Sequence, residues 1–137
     1  SGIAPGSTVT FNAIFADMDL STSTYVKGGG MFIVNIPKGW TNLTILNGPT
    51  SGFVNPPVVN TFGDGSQQIV ATLPACTAVT CIGGSGGDNA NTIQFSIKAP
   101  SVTVDTLYVM YLLAIGETNS NFTLGPVSEA VIQVDAP

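Results

Sequence analysis

Two cysteines and two asparagine sequons are the residues whose types and spacing suggest chemistry. Cys76 and Cys81 lie close together in the chain, and in an exported protein such a pair predicts one local disulfide. Asn42 and Asn121 each begin an Asn-x-Thr triplet, which is the acceptor sequence for N-linked glycans. Together these features predict a secreted glycoprotein.

The chain is poorly supplied for catalysis. Its 137 residues include no His, three Lys or Arg, and eight Asp or Glu. Nucleophile pairs that need an imidazole base are therefore excluded, and transition-metal sites lack their usual ligands. A net charge of -5 opposes binding to phosphate backbones. We predict a protein that is not an enzyme, with no cofactor, no metal and no nucleic-acid partner.

Two weaker sites stay open as alternatives. Asp17-Met18-Asp19 and Asp88 to Asn91 offer oxygen ligands for calcium, although Asp and Asn are also common turn formers. Flat aromatic rings could instead form a sugar platform, with Tyr25, Trp40, Tyr108 and Tyr111 as the candidates. We expect Trp40 to cap one end of the fold.

The elements that must position these residues are short β-strands. In the first, Val9, Phe11, Ala13 and Phe15 alternate with outward residues, as in a half-buried strand. The other predicted strands span residues 31–36, 43–46, 58–62, 68–73, 92–98, 107–115 and 130–134. Stretches rich in Gly, Pro and Asn separate them, including Asn55-Pro56-Pro57 and Gly63-Asp64-Gly65. We predict one all-β domain over residues 1–137, an antiparallel Ig-like β-sandwich of seven to nine strands.

Two segments depart from a plain sandwich. Residues 107–115 are apolar on both faces, so we expect both faces to be covered, either by the loop Asn47 to Pro57 or by a neighbouring subunit. Residues 1–15 are either the first strand of their own sheet or a donor strand for a neighbour. No apolar stretch reaches the ~20 residues of a membrane span.

A family resemblance gives these segments a role. Three stretches carry it: Pro5 to Phe11, Ile36 to Thr41, and Lys98-Ala99-Pro100 followed by Leu107-Tyr108. This pattern resembles Ig-like sandwich domains of microbial surface proteins. Within that group the chain is similar to the subunits of archaeal extracellular filaments, the threads and bundling pili. The resemblance implies a glycosylated β-sandwich that assembles by donor-strand complementation.

We therefore expect a structural subunit of a pilus-like or thread-like filament on the cell surface, whose partners are copies of itself and N-linked glycans. Val9, Phe11, Ala13 and Phe15 are the expected donor residues. The residues expected in or beside the acceptor groove, at the subunit interface, are Leu107, Val109, Tyr111 and Leu113. The alternatives are a monomeric surface adhesion or carbohydrate-binding module, and a virion structural protein.

Overall fold

The computed structural model describes residues 2–16, 30–47, 54–74, 90–117, 122–124 and 127–137, and these contain strands and no helix. The strands are β1 (Thr8–Ala16), β2 (Met31–Ile36), β3 (Thr41–Ile45), β4 (Val54–Thr61), β5 (Gln67–Thr72), β6 (Ala90–Lys98), β7 (Thr106–Glu117), β8 (Phe122–Leu124) and β9 (Ser128–Val134). Within the described ranges, therefore, no helix could cross a bilayer.

The strands form two antiparallel sheets. One sheet has the order β1-β6-β3, and the other has the order β4-β5-β2-β7-β8 with β9 also paired to β7. A single cluster of buried side chains joins the two sheets, and it includes Phe95 and Ile97 from the first and Val34, Ile69 and Val134 from the second. The predicted antiparallel β-sandwich is confirmed.

Tight turns set the ends of several strands. In the predicted turn Gly63-Asp64-Gly65, Gly65 has a φ of 89°, a conformation that glycine adopts without steric cost. The Asp64 carboxylate accepts hydrogen bonds from the backbone N–H of Ser66 at 2.9 Å and from its hydroxyl at 2.6 Å. These two bonds lower the pKa of Asp64 and hold the β4–β5 hairpin in register.

Some predicted features differ from the structure. The prolines Pro56 and Pro57 lie within β4 instead of in a turn. They fall in the register shift between Val54 and Val58 on this edge strand, and prolines in sheets are found at such edges and bulges. Strand β8 was not predicted. Several predicted sites lie outside the described residues: Cys76 and Cys81, the sequon Asn121, the calcium candidates Asp17, Asp19 and Asp88, and Tyr25.

Candidate functional site

The candidate donor strand, β1, lies at one edge of the three-stranded sheet. It pairs antiparallel with β6 in unbroken register, from Thr8 opposite Lys98 to Ala16 opposite Ala90. Of the two alternatives for residues 1–15, this is the first strand of its own sheet. A donor role therefore requires β1 to leave its own β6 and to pair with that of another subunit.

The four predicted donor side chains all face the core. Ala13 and Phe15 are buried, while Val9 and Phe11 are half-buried and pack against the core cluster. The alternating outward residue Ile14 is 62% exposed. Burying one large apolar side chain contributes about 1.5–3 kcal/mol. The inward face of β1 therefore supplies most of the free energy that keeps the strand docked on the core.

Aromatic contacts fix β1 against both sheets. The Phe11 ring lies 5.5 Å from Phe95 on β6 and 6.1 Å from Trp40. Near the other end of the strand, the ring of Phe15 stacks on that of Phe32 from β2, with centroids 4.4 Å apart and planes 6° from parallel. The strand thus spans the core and contacts both layers.

The groove that receives β1 is formed chiefly by β6. Ile93, Phe95 and Ile97 are almost completely buried, as their alternation with Gln94, Ser96 and Lys98 predicts. Sequence reasoning assigned these three residues to the core and missed their position beside the candidate donor strand. The available signal was their clean alternation, which matches that of β1.

The segment before β1 is attached to the other sheet. Ile3 forms an isolated parallel bridge with Val134, in which its N–H donates to the Gln133 carbonyl at 2.8 Å and its carbonyl accepts from Asp135 at 2.9 Å. A Cβ at Gly2 would collide with the Gln133 carbonyl oxygen, so glycine is required for this close approach.

Asp135 completes this amino-terminal attachment. Its carboxylate accepts hydrogen bonds from the Gly2 N–H at 2.8 Å and from the Gln133 side-chain amide at 2.6 Å. The bond from Gly2, followed by that from Gln133, lowers the pKa of Asp135. The carboxylate therefore stays ionised, and keeps accepting both bonds, at a lower pH than an ordinary aspartate would.

The predicted acceptor strand is an interior strand. β7 lies between β2 on one side and β8 and β9 on the other. Each predicted acceptor residue already has a strand partner in the chain: Leu107, Val109, Tyr111 and Leu113. Among the described strands, β7 is therefore not an edge to which a donated strand could add, and a place for these residues beside the acceptor groove or in a subunit interface stays a prediction.

The outer face of β7 is also more open than its sequence predicts. Leu107 is 64% exposed and Tyr111 is 41% exposed, so the described part of the chain leaves these two side chains uncovered, and cover by a neighbouring subunit stays a prediction. Of the proposed covering loop, Asn47 turns towards the other sheet, where its side chain bonds the backbone of Thr92 and Gln94. Residues 48–53 lie outside the described ranges.

A row of polar side chains crosses this outer face. Glu129, Tyr111, Asn35, Gln68 and Asn60 are successive cross-strand partners on β9, β7, β2, β5 and β4. Two 3.3 Å hydrogen bonds connect the amides, from Gln68 to Asn35 and from Asn60 to Gln68. The row places one exposed aromatic ring beside several amides.

The sequon at Asn42 is accessible. Asn42 and Thr44 are exposed on the edge strand β3, where the register with β6 shifts between Thr41 and Thr44. Asn42 has a φ of 55°, a left-handed conformation that asparagine adopts more readily than most residues. A glycan on this side chain would project from the sheet edge.

The described residues offer few groups for catalysis. They contain no group of three or more His, Cys, Asp or Glu that could hold a metal, and no polar or charged residue among them is fully buried. Trp40 is 2% exposed and packs edge-on against Tyr108 at 5.6 Å. The ring is thus buried in the core cluster and is not exposed as a sugar platform.

Comparison with known proteins gives little further information. No family model matches the chain, and no curated protein matches it. Among solved structures it is similar to one described as "AvmM Catalyzes Macrocyclization in Alchivemycin A Biosynthesis", with a TM-score of 0.42 and 10% sequence identity over 98% of this chain and 84% of that chain. A likeness of this size says nothing about activity.

Proposed function

We propose that the chain is a non-enzymatic structural subunit of an extracellular filament, pilus-like or thread-like, on a cell surface. In this proposal β1 is passed from one subunit to the next and pairs with the β6 of its neighbour. The observation that carries it is the position of β1, which precedes the other strands and, among the described strands, pairs with β6 alone, with four side chains facing the core. N-linked glycans at Asn42 and Asn121 and a Cys76–Cys81 disulfide belong to the same proposal.

The chain length after β1 supports exchange. Residues 17–30 separate β1 from β2, and at about 3.3 Å per residue they can span about 45 Å. A domain of this size is about 35–40 Å across, as its expected radius of gyration of about 14 Å indicates. The connection is therefore long enough for β1 to reach the groove of an adjacent subunit while β2 stays in place.

Exchange reproduces every contact that β1 makes within the chain. The neighbour offers the same Ile93, Phe95 and Ile97 groove, and its β9 offers the same partners for Gly2 and Ile3. Little free energy is then gained or lost by the swap itself, and concentration decides the outcome. When each subunit gives its strand to one neighbour and receives a strand from another, the contact is head-to-tail, and it generates an open chain where the rotation between subunits does not close a ring.

An engineered disulfide tests the exchange. Thr10 and Ser96 face each other on β1 and β6 as a non-hydrogen-bonded pair, whose Cα atoms are about 4.5 Å apart, within disulfide range. In filaments of the variant Thr10→Cys/Ser96→Cys, exchange joins successive subunits covalently. We expect a ladder on a non-reducing denaturing gel, which collapses to monomer on reduction.

The single variants Thr10→Cys and Ser96→Cys are the matched controls, and neither should give a ladder. Oxidising the double variant as a dilute monomer should lock β1 to its own β6 and block polymerisation until reductant is added. A double variant that polymerises while it is locked within each chain would contradict exchange of β1.

A second candidate is a carbohydrate-binding surface module, which the polar row favours. Tyr111 is exposed next to Asn35 and in line with Gln68, and a ring with neighbouring amides can stack on a sugar and bond its hydroxyls. We expect Tyr111→Ala to abolish binding on a glycan array, with Leu107→Ala as the control on the same face. Absence of saccharide binding by the unmodified protein would remove this candidate.

A further inference from the structure

Three sheet edges in the described part of the chain carry features that discourage the addition of another strand. β4 contains Pro56 and Pro57 and a register shift between Val54 and Val58. β3 has a register shift and the left-handed Asn42. Such prolines and bulges are the usual protection of edge strands.

The third protected edge is the one beyond β7. β8 is only three residues long, and a very short edge strand is itself protection. β9 carries the exposed charge of Glu129, and the segment around Ile3 covers its end at Val134. An incoming strand would have to displace that segment.

β1 is the exception. It is nine residues long, contains no charged residue and no proline, and keeps regular register with β6 over its whole length. A long, regular, uncharged edge is a ready template for another strand. β1 thus lacks the prolines, register shifts, short length and exposed charge that protect the other described edges.

The hydrogen bonds identify which groups of β1 are free. The Ser7 carbonyl accepts from the Ala99 N–H at 2.8 Å, so alternate residues from Ser7 onward direct their backbone groups to β6. The residues between them direct their N–H and C=O groups away from β6, where no described strand pairs with them: Thr8, Thr10, Asn12 and Ile14. All four side chains are exposed.

We propose that this free edge pairs antiparallel with the β1 edge of a second copy, about a two-fold axis through Asn12. Thr10 then faces Ile14 of the other copy, and every inward side chain faces an inward side chain. The two three-stranded sheets become one continuous six-stranded sheet. No like charges meet, because Thr8 to Ala16 carries none.

A second copy of this chain is the partner that the free edge of β1 favours, because both copies present the same unprotected strand. Among the described edges, an approaching copy offers β1 as its one unprotected edge, so β1 against β1 is the pairing left open between copies. This contact is independent of strand exchange, which uses the opposite side of β1. Whichever subunit supplies β1, its free edge stays available for a lateral contact.

Proline at position 10 tests the contact. The Thr10 N–H takes no part in the β1–β6 ladder, so Thr10→Pro removes an edge donor without removing a bond within the chain. Analytical ultracentrifugation of the full chain should give a concentration-dependent dimer. We expect Thr10→Pro to raise the dissociation constant of this dimer at least about tenfold. The substitution removes one hydrogen bond per copy, and the two-fold symmetry makes this two bonds per dimer.

Thr10→Val is the matched control, because it keeps the N–H and strand propensity, and it should dimerise like the unmodified chain. If Thr10→Pro fails to fold, Asn12→Lys provides the test instead. This variant brings two like charges together at the two-fold axis, so its dimer should be weaker at low salt and partly restored at high salt. A monodisperse monomer at high concentration, or Thr10→Pro and Asn12→Lys dimers of unchanged affinity, would overturn the proposal.

The two proposals fail in different ways. If exchange is wrong, the Thr10→Cys/Ser96→Cys ladder is absent while the closed dimer remains. If edge pairing is wrong, filaments of Thr10→Pro associate side by side as readily as those of the unmodified chain. Protection of the Thr8, Thr10, Asn12 and Ile14 amides from hydrogen exchange in the dimer is the direct signature of the edge contact.

Discussion

Replacing Trp40 with alanine is expected to lower the free energy of unfolding by about 3–5 kcal/mol. The indole is almost completely buried, and it packs against Phe11 from β1 and Tyr108 from β7. Its removal leaves a cavity where the two sheets meet. Because a domain of this kind is stable by about 5–15 kcal/mol, the variant should lie close to its unfolding threshold.

Trp40→Phe separates packing from hydrogen bonding at this position. The indole Nε1 is buried without a hydrogen-bond partner, so phenylalanine keeps most of the apolar contact and gives up no bond. We expect Trp40→Phe to lower the free energy of unfolding by less than half as much as Trp40→Ala does. Urea unfolding followed by far-UV circular dichroism measures both, since Trp40 is the chain's single tryptophan and its replacement removes the fluorescence signal.

Equal losses for the two variants would contradict this account. They would mean that the Nε1 group has a partner whose bond stabilises the fold, such as a buried water.

Local alternation predicted the strands and their inward faces well. Met31–Ile36 was predicted with its observed bounds, and Ile93, Phe95 and Ile97 face the core as expected. Period-2 spacing determines these features because it decides which side chains share a face. The buried face of a half-buried strand can therefore be predicted without knowing which strands pair with it.

Strand neighbours were not readable in this way. Thr10 pairs with Ser96, and Ile3 pairs with Val134, across separations for which the sequence carries no local signal. The apolar character of residues 107–115 predicted cover over both faces, yet Leu107 and Tyr111 are exposed within the described chain, and cover by a neighbouring subunit stays a prediction. The interior position of β7 in its sheet was not predicted. Interior position in a sheet and burial of both faces are separate properties, and only tertiary packing decides the second.

Phe15→Ala is expected to cost about 3–5 kcal/mol and to loosen β1 selectively. Phe15 on the edge strand and Phe32 on the interior strand β2 form one ring stack between the sheets. Phe32→Ala removes the same stack from the other side, so it is the matched control. The two variants should lose similar stability by urea unfolding.

The two variants should differ in where the structure opens. Within the described sheets, β1 pairs only with β6, whereas β2 lies between β5 and β7. Losing the ring from β1 therefore lets that strand detach before the remaining sandwich unfolds. Under native conditions, the amides that β1 donates to β6, those of Val9, Phe11 and Ala13, should exchange faster in Phe15→Ala than in Phe32→Ala. The amides of β2 should show no such excess.

If the β1 amides exchanged their hydrogens at the same rate in both variants, selective loosening of β1 would be contradicted. That result would also bear on the proposed function. If β1 opened only together with the whole domain, each exchange of the strand would have to cross the full barrier of global unfolding. Assembly would then be slow and would compete with aggregation of unfolded chains. If β1 opens by itself, the groove at Ile93, Phe95 and Ile97 stays formed while the strand is free, which is the state that a neighbouring donor strand needs.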